Sequence, residues 1–90
     1  MKYDKLLKRK RIIHGILFEA KAFHPTAFKN NIYAVSFSPK NKKFLLDKDI
    51  AFTQVTTKNN KEAIKKARVE LDWEIEQIAN RMKNKQKIKV

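Results

Sequence analysis

The residues with the chemistry for proton transfer or metal binding are two histidines, His14 and His24, and the close pair Asp47 and Asp49. A histidine serves as a catalytic base when a nucleophile or an orienting group lies beside it. His24 adjoins Pro25 in an expected turn, and neither histidine has a serine near it in sequence. Two carboxylates spaced i, i+2 project to one side only on an extended chain, and Lys48 between them marks a solvated turn instead. No Gly-rich phosphate loop and no metal-ligand spacing occurs. The expectation is a protein with no catalytic residue, no metal and no cofactor, and therefore not an enzyme.

The charge carries more information. The 90 residues hold 22 Lys and Arg against 9 Asp and Glu, a net charge of +13. Such an excess repels itself in the compact state, and a polyanion relieves that repulsion. It is also segmented. Residues 2–11 contain Lys2, Lys5, Lys8, Arg9, Lys10 and Arg11, and residues 81–89 contain Arg81, Lys83, Lys85, Lys87 and Lys89 with no acid. Two basic loops lie between these ends: Lys29, Asn30 and Asn31, then Lys40, Asn41, Lys42 and Lys43. Lysine meets phosphate as a flexible point charge, whereas Asn and Gln can read base edges. The expected nucleic-acid-binding set is Lys8, Arg9, Lys10, Arg11, Lys29, Asn30, Asn31, Lys40, Asn41, Lys42, Lys43 and Gln54. A surface dominated by lysine predicts binding to the phosphate backbone with modest sequence preference. An exposed Phe or Tyr among these residues would add a stacking platform for unpaired bases.

With no cysteine, disulfides, thiolate nucleophiles and zinc knuckles are all excluded. No run approaches the ~20 apolar residues of a membrane span. The basic start followed by Ile12, Ile13, Ile16, Leu17 and Phe18 imitates a secretory leader, but His14 and Gly15 interrupt the run and no small-residue cleavage site follows. The expectation is a cytoplasmic protein.

These residues need a frame. Ile64, Ala67, Leu71, Ile75, Ile78 and Met82 recur at spacings of three and four, which predicts a helix over 60–83 with a buried stripe. Asn59 is its N-cap, with Glu62 three residues on to form a capping box. Tyr33, Val35 and Phe37 alternate with smaller residues as a half-buried strand does. Residues 44–46 and 50–57 supply one strand broken at Asp47-Lys48-Asp49, or two short ones. Ile12, Ile16, Phe18, Ala20 and Ala22 share one face of a strand over 12–23, although the same segment also fits a helix in which Gly15 would cost about 1 kcal/mol. The strand is favoured. The fold class is then α+β, one domain: a three-stranded antiparallel sheet over 12–57 packed on one long C-terminal helix. A short basic N-terminal helix or arm, 1–11, precedes it, and a basic tail, 84–90, follows.

The helix has a second face. Glu70, Asp72, Glu74 and Glu76 make its middle acidic, and Val69 and Trp73 lie opposite the core stripe. Carboxylates there repel phosphate, so the nucleic-acid surface falls on the open face of the sheet, its loops and the arms. An uncovered Trp73 beside Val69 is instead a site for a protein partner or a second copy. The alternative function is therefore a protein–protein module or inhibitor acting on a nucleic-acid-processing complex.

The stretch from Phe52 to Ala67, with Thr53-Gln54-Val55-Thr56-Thr57 leading into Glu62-Ala63 and Ala67, resembles the N-terminal arm-site DNA-binding domains of phage-type tyrosine recombinases. That likeness implies a three-stranded sheet with a C-terminal helix, the sheet entering the major groove. It implies DNA rather than RNA as the ligand, and an accessory protein of a phage or mobile element. The same junction is similar to HicB-type antitoxins, where a strand, a turn and a Glu-Ala-rich helix follow one another.

Overall fold

At His14 and Gly15 the chain reverses. In the computed structural model, which describes residues 3–25, 31–40 and 49–87, both have positive φ, 51° and 82°. That pairing marks a two-residue type I′ hairpin loop, whose twist matches that of the strands it joins. The strands are β1 (Tyr3–Ile13) and β2 (Ile16–Pro25), antiparallel from Ile13 opposite Ile16 out to Tyr3 opposite Pro25, with an irregularity between Asp4 and Leu7. β3 (Ile32–Pro39) pairs with β2, and β4 (Ala51–Thr56) pairs with β3, giving one antiparallel meander in the order β1-β2-β3-β4.

Among the described residues the sheet has four strands rather than the three expected, because residues 3–11 belong to a strand and not to a separate arm. The basic run from Lys8 to Arg11 lies within β1 and supplies an edge strand. Basic side chains are compatible with such an edge because they remain in water and discourage pairing with another chain. The reversal also corrects the apolar face expected over 12–23. Ile16, Phe18, Ala20 and Ala22 are buried, but Ile12 lies before the turn, opposite Leu17, and is 76% exposed.

One face of the sheet is covered by α1 (Asn60–Glu70) and α2 (Asp72–Lys87). Asn59 caps α1 as the sequence requires, its side-chain oxygen accepting from the Glu62 N–H at 2.9 Å. All six stripe residues are buried against Phe18, Tyr33, Val35, Phe37 and Val55. In place of one long helix there are two among the described residues, separated at Leu71, where φ −98° and ψ 11° leave the helical region. The break is local. The Leu71 N–H still donates to Ala67, and its carbonyl accepts from Ile75. An Arg68–Asp72 hydrogen bond spans the interruption. The hairpin tip docks beside it, with His14 Nε2 3.8 Å from Asp72 Oδ1. The expected tail also shortens, since α2 continues through Lys87.

Asp49 does not sit in a solvated turn. It is fully buried and accepts a hydrogen bond from Arg81 Nε at 3.0 Å, tying the approach to β4 onto α2. Its neighbour Asp47, the strand expected over 44–46 and residues 88–90 of the tail lie outside the described residues.

Candidate functional site

Strand periodicity sorts the basic run of β1 onto two sides. Successive strand residues face opposite ways, and partners across an antiparallel ladder face the same way. Lys8 and Lys10 therefore share the open face with Lys21, Glu19, Ser36, Ser38 and Phe52, while Arg9 and Arg11 share the helix-covered face with Ala20 and Phe18. Four neighbouring cations of the expected set thus lie on two different faces of the sheet.

On the open face a row crosses all four strands: Lys8, Lys21, Ser36 and Phe52. At the usual inter-strand spacing it is roughly 14 Å long, with charge at one edge and an aromatic ring at the other. Phe52 is 53% exposed, and Gln54 projects beside it opposite Ala34. Glu19 occupies the middle of the lysines, 3.6 Å from both Lys21 Nζ and Lys40 Nζ. Desolvation raises the pKa of Glu19, but the charges of Lys40, Lys21 and Lys8 outweigh it and hold the carboxyl below its ordinary value. The face is cationic around one captive carboxylate.

Asn31 and Lys40 bracket β3 at its two ends. The Asn31 carbonyl accepts from Thr57 N–H at 2.8 Å, and Lys40 N–H donates to the Leu17 carbonyl at 2.9 Å. Asn31 adopts φ 71°, which Asn tolerates better than most residues. Lys40 joins the lysines of the open face through Glu19, whereas Asn31 stands at the opposite end. Lys29, Asn30, Asn41, Lys42 and Lys43 lie outside the described residues.

Arg9 and Arg11 enter a cleft of about 580 Å³ between β1 and α1. The opposite wall is the helical stripe Lys61, Lys65 and Arg68, and the floor is Leu7, Ile13, Phe37 and Ile64. The cleft exists because α1 packs chiefly over β2, β3 and β4 and leaves β1 partly uncovered. Lys61, Lys65 and Arg68 stood in the sequence at helical spacing but were not expected to bind anything. Their convergence with Arg9 and Arg11 becomes visible only once 1–11 is a strand.

Trp73 and Val69 are exposed, 67% and 77%, on the helix surface facing away from the sheet. Trp73 lines a hollow of about 300 Å³ together with Ile50, itself partly exposed. Among the described residues no helix is long and apolar enough to cross a membrane. No protein-family model matches the chain, and comparison with curated proteins and with solved structures found no match.

Proposed function

We propose that this protein binds nucleic acid, DNA in preference to RNA, through the open face of its sheet, by neutralising phosphates rather than by catalysis. The observation that carries the reading is the open-face row from Lys8 and Lys21 to Phe52, flanked by Lys10, Lys40 and Gln54. Lysines gathered on one face can meet successive phosphates as flexible point charges, and an exposed ring with an amide beside it offers modest base contact. The acidic helix residues Glu70, Asp72, Glu74 and Glu76 lie on the other layer, away from the open-face lysines. The setting implied by the recombinase resemblance is a cytoplasmic accessory protein of a phage or mobile element. Titration of a labelled duplex, a single strand and an RNA hairpin at two salt concentrations tests the proposal. Binding should weaken steeply with salt, and absence of binding to all three at about 50 mM salt rejects it.

Trp73 favours a second reading, in which the outer helix face docks a protein partner or a second copy. It is the only tryptophan in the chain, so its emission reports its surroundings without ambiguity. Covering it shifts the emission to the blue. Charge reversal on the open face should leave that shift intact, and Trp73→Ala should abolish the association.

A further inference from the structure

The chain has 18 lysines and only four arginines, Arg9, Arg11, Arg68 and Arg81. Three of the four line the cleft between β1 and α1, and the fourth holds the buried Asp49. Arginine differs from lysine in offering a planar fork that grips phosphate through two parallel hydrogen bonds. The distribution therefore separates two kinds of cationic surface: lysines spread over the open face, and guanidinium groups gathered in one concavity.

The cleft is also short of negative charge. No carboxylate lines it among the described residues. Arg68 is engaged with Asp72, whereas among the described residues Arg9 and Arg11 donate only to the carbonyls of Lys8 and Lys10, at 3.3 and 2.9 Å. Bringing Arg9, Arg11, Lys61 and Lys65 together opposes folding by mutual repulsion unless an anion occupies the space. Protection of the β1 edge would explain basic residues on β1 alone. It does not explain Lys61, Lys65 and Arg68 on the helix opposite.

The floor narrows the class of anion. Leu7, Ile13, Phe37 and Ile64 present carbon rather than donors. A ligand that satisfies both walls and floor carries a phosphate and a flat, weakly polar body. A cleft of this size lies within the range for small-molecule sites, roughly 300–1,000 Å³. We propose that the β1–α1 cleft binds a nucleotide, its phosphate held by Arg9 and Arg11 with Lys61 and Lys65, its base against Leu7, Ile13 and Ile64. The nucleotide is either free or the 5′-phosphorylated end of a strand. This site is distinct from the open face and does not require that face to bind anything.

Four arginines give four resolvable Nε–Hε resonances, which allows a direct test on the unmodified protein. Adenosine monophosphate should move those of Arg9, Arg11 and Arg68 and leave that of Arg81 in place. It should bind about tenfold more tightly than inorganic phosphate, because only the nucleotide uses the floor. Arg9→Gln with Arg11→Gln should weaken it about tenfold or more. Lys8→Gln with Lys10→Gln, the same charge loss on the opposite face, should change it less than about threefold. A 5′-phosphorylated oligothymidylate that binds the cleft more tightly than both its dephosphorylated form and the monophosphate assigns the ligand to strand ends. Tighter binding of the monophosphate assigns it to free nucleotide. Equal affinity for inorganic phosphate and the monophosphate overturns the proposal. So does tighter capture of an oligoglutamate peptide, which would make the cleft a dock for an acidic protein segment, and so does monophosphate binding that leaves the Arg9 and Arg11 resonances in place.

Discussion

Glu19 is the residue on which the open face turns. It lies between Lys21 and Lys40 and neutralises part of the lysine charge on that face. Glu19→Gln removes one negative charge and frees both lysines, so duplex affinity should rise about fivefold at low salt, the ~1 kcal/mol of unit charges ~4 Å apart in water. An unchanged or weaker affinity in a fluorescence-anisotropy titration would mean that nucleic acid does not lie over this face. The same carboxylate responds to pH. A group whose pKa is depressed on folding stabilises the fold above its ordinary pKa and loses that contribution as pH falls through the depressed value. Glu19 is held below 4.5 by its lysines, and Asp72 below 3.8 chiefly by the Arg68 hydrogen bond. Thermal melting should therefore be level near neutrality and decline below about pH 4.5, and Glu19→Gln should flatten the upper part of the decline. At the hairpin tip, Gly15 has φ 82° and a Cβ there would lie 3.2 Å from Lys83 Cε. The lysine can move aside but the backbone cannot. Gly15→Ala should cost about 1–2 kcal/mol in chemical denaturation.

Among the elements, those governed by a single period were legible and those set by a turn were not. The helix stripe from Ile64 to Met82 and the alternation of Tyr33, Val35 and Phe37 predicted burial correctly, because each face meets the core along its whole length. β1 was missed because Lys8-Arg9-Lys10-Arg11 has no apolar alternation. Between residues 6 and 13 its apolar inward residues are Leu7 and Ile13, and the cleft takes the place of a packed neighbour over Arg9 and Arg11. The hairpin signal was present in His14-Gly15, but His is an unusual first residue for a turn with positive φ. The break at Leu71 leaves the 3–4 spacing of the stripe undisturbed, so periodicity could not reveal it. Asp49 was misread because its partner Arg81 is 32 residues away, and no local pattern announces a long-range ion pair. That pair ties the approach to β4 onto α2. Arg81→Met keeps much of the side-chain volume and removes the charge-assisted hydrogen bond. It should lower stability by about 1.5–3 kcal/mol, measured by urea unfolding, with nucleic-acid affinity unchanged.

For the whole molecule the sequence gives the amount of charge, +13, and the fold decides its direction. A strand edge whose residues alternate between two faces carries cations to both, so β1 serves the open sheet on one side and the arginine cleft on the other. The sidedness has a thermodynamic signature. Each phosphate neutralised on duplex DNA contributes about −0.9 to the slope of log affinity against log salt. Lys8, Lys10, Lys21 and Lys40 together then supply a slope of at least about −3.6 if a duplex lies on the open face. Replacing Lys8, Lys10 and Lys21 with Gln should make it shallower by about 2.7. Replacing Arg9 and Arg11, which face the helix layer, should leave it within about one unit of wild type. Net charge falls by three in the first variant and two in the second, so a response to total charge alone would give slopes reduced nearly in that ratio. Such a result would mean that the protein attracts polyanions as a diffuse cation. A loss confined to the open-face variant would locate the duplex on the sheet and leave the cleft to a ligand of its own.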